Sequence, residues 1–191
     1  EGIIELEKKI EIGKKFSEFF DNEDISLDIA ITPNRVDCAG VRGVARDLSA
    51  SGLGRLKDKK IPSFKPNFKT PIKLINNLKN SSCPEFALRL IKNVKNIPSP
   101  NKLIKRFHNT GIKVISSLVD VTNFFTIDYC RPLHVFDFDK IEGNISIRYS
   151  NQDEKFVGLD DEEYTLSNGM IVICDEKKII SLAGVMGGKS T

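Results

Sequence analysis

The span Val119 to Asp137, VDVTNFFTIDYCRPLHVFD, gathers residue types that do chemistry. Thr122, Asn123, Pro132 and His134 (one of only two histidines) are all framed by apolar neighbours. A hydroxyl, an amide and an imidazole in apolar surroundings are the makings of a binding site. The imidazole can also trade a proton near neutral pH. On residue chemistry alone, His134 serves equally well as a site group or as a packed histidine. Asp137 and Asp139 lie two apart in FDFD and, with His134, offer three possible metal ligands. So few ligands at that spacing fit an N-cap or a surface ion pair better than a metal centre, so no metal is expected. The second histidine, His108, falls near the end of a predicted helix, where a cation suits the dipole.

A second candidate lies in AGVMGGKST. Ala183, four further residues and then Gly188-Lys189-Ser190 satisfy the loose phosphate-loop pattern, and they follow a predicted strand. In a phosphate loop, backbone N–H groups and the lysine hold the phosphates while a helix N-terminus adds its dipole. Here alanine stands in place of the first glycine, and no apolar strand ending in Asp follows to hold magnesium. A nucleotide binder using Ala183 to Ser190 is therefore an alternative. A glycine-rich turn that lets backbone approach another ligand closely is the better reading.

These residues need elements to position them. Short strands are predicted at Ile3–Leu6 and, from the alternation ISLDIAI, at Ile25–Ile31. A helix is expected at Lys14–Phe20. Pro33 and Asn34 mark a turn, and Asp37 is a plausible N-cap for a helix carrying Val41, Val44, Ala45 and Leu48 on one face. Gly52 and Gly54 stop it. From Lys57 to about Thr70 the chain is rich in lysine and proline and has no periodicity, as a solvated linker would be. Its lysines could also contact phosphates, which leaves a non-catalytic RNA-contacting module as a further alternative.

Beyond the linker, Glu85–Val94 suits a strand. Ser99 as N-cap and Pro100 at N1 open a helix with inner face Leu103, Ile104 and Phe107, and Gly111 ends it. Ile112–Ile115 suits a short strand, and Leu118–Tyr129 is apolar enough for a buried helix. Strands are predicted at Ile145–Tyr149, Lys155–Leu159, Tyr164–Leu166, Ile171–Asp175 and Ile179–Ala183, with turns at Asn144, Gly158, Asp160-Asp161 and Asn168-Gly169. Helices and strands interleave without regular βαβ spacing. The expected class is α+β, with mixed sheets and helices in two small domains: 1–57, a Pro/Lys-rich linker at 58–80, and 81–191.

The bulk numbers limit the function classes. Of 191 residues, 29 are basic and 26 acidic, a net charge of +3 that permits a nucleic-acid partner without requiring one. Cys38, Cys83, Cys130 and Cys174 are scattered with no CxxC pair, as expected of free thiols in a reducing cytoplasm. No apolar run approaches the roughly 20 residues of a membrane span. The first residues, EGIIELEKK, carry no signal-peptide pattern and read as the interior of a longer protein.

Taken together, VDVTNFFTIDYCRPLHVFDFDKI, the preceding SPNKLIKRFHNTGIKVI, and the following LDDEEYTLSNGMIVICD and LAGVMGGKS resemble the editing domain of the beta subunit of bacterial phenylalanyl-tRNA synthetase. ITPNRVDCAGVRGVARDLSASG resembles the small domain that precedes it. The resemblance implies a cytoplasmic ligase of two alpha and two beta subunits that uses ATP and magnesium. In it, alpha aminoacylates the tRNA and beta hydrolyses tyrosine wrongly esterified to tRNA(Phe). Neither ATP nor magnesium is expected on this portion.

By motif position, the resemblance implies that Thr122 and Asn123 hold the aminoacyl-adenosine end and the hydrolytic water. His134 faces the terminal ribose or the ester, Pro132 shapes the wall, and Gly187 and Gly188 leave room for the amino acid. Cys130 and Arg131 stand where the family more often has glycine and glutamine. The family's pattern also continues past Thr191 to a glutamate that reads the tyrosine hydroxyl. The expectation is therefore that this portion alone deacylates poorly.

Overall fold

The computed structural model describes residues 11–15 and 25–191. The strand predicted at Ile3–Leu6 and most of the helix predicted at Lys14–Phe20 lie outside the described residues. The α+β class holds: three α-helices accompany a five-stranded sheet and a separate two-stranded one.

Helix α1 (Gly40–Ala50) carries the predicted apolar face, and the turn at Pro33-Asn34 precedes it. Asp37 does not cap it. The N-cap is Ala39, with no side-chain bond, and Asp37 lies in a 3-10 turn at Val36–Cys38. Arg35 claims that carboxylate instead, donating to both oxygens at 3.0 and 3.1 Å and reaching Asp47 at 2.6 Å. These bonds hold both carboxyls below the usual carboxylate range.

Helix α2 (Asn101–Asn109) begins one residue later than predicted and buries Phe107, which is 1% exposed. The Ser99 hydroxyl does not cap α2 but donates to Asp120 Oδ2 at 2.5 Å. Helix α3 (Ser117–Tyr129) is present but is not the buried apolar helix its composition predicts. Val121 and Phe125 are exposed, and its buried residues are two carboxylates, Asp120 and Asp128. Asp120 also accepts from the Ile115 N–H at 3.0 Å, and Asp128 pairs with Arg106 of α2. The two aspartates thus tie α3 to α2 and to the segment between them, while α1 packs on α3 from outside. The helix ends where Cys130 turns left-handed, at φ 51°.

The main sheet has the order β1-β2-β5-β6-β7: β1 (Leu74–Asn76), β2 (Ile145–Tyr149), β5 (Ile171–Cys174), β6 (Ile179–Leu182) and β7 (Met186–Gly187). β1 runs parallel to β2 and the other neighbours pair antiparallel. β3 (Glu154–Val157) and β4 (Glu163–Leu166) form a hairpin that packs against β6. β5 reads Ile-Val-Ile-Cys because both of its faces are covered, as a continuous apolar strand requires. Ile173 joins Leu78, Ile145, Ile147 and Ile180 on one side. Val172 and Cys174 join Phe156 and Leu166 of the hairpin on the other.

The strands predicted between 145 and 183 all form, with ends shifted by at most a residue or two. Those predicted at Ile25–Ile31, Glu85–Val94 and Ile112–Ile115 do not: these segments pair with no strand among the described residues. Conversely, β1 falls within the stretch predicted as linker, so the sheet recruits residues before 81.

Candidate functional site

The segment 131–137, neither helix nor strand, runs from the left-handed turn at Cys130 to a short 3-10 turn at Phe138–Lys140. Phe136 packs onto the main core cluster and anchors the segment. Its ring meets the His134 ring edge-on at 4.6 Å between centroids. The other neighbour is β7. A Cβ on Gly187 would overlap His134 Cε1 and lie 2.8 Å from Nε2, so only glycine lets the imidazole sit there. Leu159 closes the same spot, and its N–H donates to the Gly187 carbonyl at 3.1 Å.

The histidine and Gly187 are therefore in contact. Phe136 and Leu159 complete that contact and are missing from the sequence prediction. The i, i+2 spacing of Phe136 from His134 is the signal that could have found the first. His134 as a residue stays exposed, but packing of its ring against Phe136 and Gly187 partly desolvates it and lowers its pKa below the ordinary value, so the imidazole is neutral at neutral pH.

The other predicted residues are placed differently. Gly188 does not line open space. Its N–H donates to the Ile180 carbonyl at 2.8 Å, and a Cβ there would lie 2.7 Å from that oxygen. Pro132 lies exposed in the segment between Cys130 and the 3-10 turn. Thr122 donates its hydroxyl back to the Val119 carbonyl at 2.7 Å, and its lone pairs remain free to accept. The Asn123 amide has no hydrogen-bond partner among the described residues. Both sit on α3, and no hydrogen bond, ion pair or ring contact joins α3 to the main sheet among the described residues. Thr122 and Asn123 are thus one group, His134 and Gly187 another, linked through the Cys130 turn. Asp137 caps the 3-10 turn by accepting from the Asp139 N–H at 3.2 Å and pairs with Lys140. Among the described residues no group of three His, Cys, Asp or Glu side chains could hold a metal ion.

The tail does not have the arrangement of a phosphate loop. Ala183-Gly184-Val185 is the turn of a β6–β7 hairpin. The Gly188 and Lys189 N–H groups donate to the Ile180 and Val157 carbonyls, and the Lys189 ammonium pairs with Asp161. The donors that would cradle phosphate are already engaged.

Two clefts lie elsewhere. One, of about 510 Å³, is bordered by Arg148, Glu154, Cys174 and Lys177. Arg148 grips Glu154 with two bonds at 2.9 and 2.8 Å, which holds that carboxyl down at about 2. Burial pushes the Cys174 thiol up to about 11. The other, of about 540 Å³, runs beside α1.

Residues 82–191 match the family model described as B3/4 domain. Nearly the whole chain is similar to curated proteins that each bear the name phenylalanine--tRNA ligase beta subunit. That of Brucella abortus is 44% identical over 190 residues, covering 98% of this chain and 24% of the relative. That of Nitrobacter winogradskyi is 45% identical over 192 residues, covering 100% and 23%. That of Bartonella henselae is 42% identical over 193 residues, covering 100% and 24%. The chain spans about a quarter of the length of these relatives. No helix among the described residues is long and apolar enough to cross a membrane.

Proposed function

The chain belongs to the B3/4 domain family, and from that premise we propose that it is part of a phenylalanine--tRNA ligase beta subunit. Its role there is post-transfer editing: hydrolysis of tyrosine wrongly esterified to tRNA(Phe). Residues 1–57 belong to a small domain and 81–191 to the editing domain, which also takes β1 and Leu78 from the intervening 58–80. The observation that carries the reading is the contact of a neutral His134 with Gly187, at the edge of the sheet. Similarity to the named relatives over nearly the whole chain supports it independently.

The chemistry is consistent with that task. Tyrosine differs from phenylalanine by one hydroxyl, which an apolar pocket rejects by only about 100-fold. A second site that hydrogen-bonds the hydroxyl discriminates the other way, because phenylalanine would leave its polar groups unpaired. Ester hydrolysis then needs a positioned water and relief of developing charge. A neutral imidazole can accept the water's proton, and the unpartnered Asn123 amide can both donate and accept. Thr122, the preceding residue of α3, supplies an acceptor, Pro132 a rigid wall, and Gly187 the room that the imidazole itself takes.

On this reading the partners are the acceptor end of tRNA(Phe) and the alpha subunit, in a cytoplasmic alpha2-beta2 assembly. Aminoacylation with ATP and magnesium belongs to alpha, and no step proposed for this chain passes through either. The test is deacylation of tyrosyl-tRNA(Phe) by the whole synthetase. His134→Ala should slow it by about 100-fold or more, the usual worth of a positioned general base. The wild-type rate should fall as pH drops through the depressed histidine pKa, below roughly 6.5. Unchanged rates in Thr122→Ala, Asn123→Ala and His134→Ala alike would sink the site assignment.

A further inference from the structure

The cleft of about 540 Å³ beside α1 takes no part in the proposed site. Its floor is aliphatic: Val41, Ala45 and Leu48 from α1, and Leu53 and Leu56 from the chain that leaves it. Leu48 and Leu53 stay 48% and 77% exposed, so nothing among the described residues covers them. Arg42, Arg55 and Lys57 line the same cleft.

The basic groups around α1 fall into two sets. Arg35 and Arg46, outside the cleft, are engaged by Asp37 and Asp47. Arg42, Arg55 and Lys57 have no carboxylate or hydrogen-bond partner among the described residues. The one carboxylate lining the cleft, Asp128, is buried and already paired with Arg106. The cleft therefore combines an aliphatic lining with basic groups that no carboxylate among the described residues engages.

We infer that this cleft docks an acidic amphipathic helix of another polypeptide, its leucine-type face on the floor and its carboxylates on Arg42, Arg55 and Lys57. An aliphatic trough on a helix surface is the complement of such a helix. Charge of one sign in its lining selects and orients the partner. Single-stranded RNA fits less well, because it needs aromatic faces to stack its bases. The only aromatic residue lining the cleft is Tyr129, and the Lys59 ammonium already lies over its ring at 5.4 Å.

The test is fluorescence anisotropy of the 191-residue chain with a labelled 18-residue peptide. The peptide carries leucines at i, i+3, i+4 and i+7 and glutamates on the flanks. A scrambled peptide of identical composition should bind at least about tenfold more weakly, since order creates the apolar face. Arg42→Glu with Arg55→Glu should cost about tenfold or more, and Leu48→Asp, at a half-exposed position that tolerates the change, should do the same. Raising salt from about 0.05 to 0.3 M should weaken binding further, as screening demands. Three results would overturn the inference: no measurable binding, equal binding of the scrambled peptide, or displacement of the peptide by a single-stranded oligonucleotide of equal charge.

Discussion

Residues 25–31 and 171–174 carry the same kind of apolar pattern and have opposite fates. Ile171–Cys174 pairs on both sides, with β2 and β6, and buries both faces. Ile25–Ile31 alternates more regularly, yet it pairs with no strand among the described residues and its isoleucines and leucine stand open, Ile25 at 88% and Leu27 at 76%. A strand's hydrogen bonds lie in its neighbour, so alternation fixes which side chains share a face and leaves open whether anything pairs. The same pattern is a core in one place and an unfilled template in the other.

The sharpest probe of this contrast is Ile180→Ala. The side chain is fully buried in the core cluster with Leu78, Ile145, Ile147 and Ile173, and its loss should cost about 2–5 kcal/mol in a denaturant titration. Asp120→Ala should come next. It would strand the buried Ser99 hydroxyl and the Ile115 N–H, for about 1–3 kcal/mol, seen as a lower thermal midpoint.

Acid should then weaken the sheet region through Glu154. Its folded pKa is about 2, below the ordinary value, so its contribution is full above roughly 4.5 and is lost as pH falls towards 2. Glu154→Gln should flatten that part of the stability-against-pH curve. Leu27→Ser should be the mildest change, within about 0.5 kcal/mol, since the side chain buries almost nothing. If Leu27→Ser proved as costly as Ile180→Ala, the two segments would not differ in the way described.

The helices and the antiparallel strands were legible because their signals are local. Phe107 with the glycine stop at Gly111 marks α2, and the apolar runs with Asn-Gly and Asp-Asp turns mark β2 to β6. What escaped was decided by partners far along the chain. β1 is three residues in a lysine-rich stretch and exists because Ile145 and Ile147 lie alongside it. Ser99 and Asp37 have the right types for helix caps, but Asp120 and Arg35 compete for them and win. In α3 composition points to a buried apolar helix, while the structure buries its aspartates because Arg106 and Ser99 wait for them.

The candidate site shows the same division. His134 stood out by type and neighbourhood, but its contact with Gly187 joins two segments that only the sheet brings together. Gly188, grouped with Gly187 by adjacency, serves strand packing instead, because neighbours in a strand face opposite ways.

The four thiols differ enough to be told apart by a reagent. Cys38 and Cys174 are buried, Cys83 is half-covered, and Cys130 is exposed. Thiol reactivity follows access and thiolate content, so a maleimide dye should label Cys130 first and Cys174 last. Cys130 sits at the left-handed turn from which the histidine segment departs. A single fluorophore there, on the wild-type sequence, would report directly whether that segment shifts when the proposed substrate, an aminoacylated RNA end, is added.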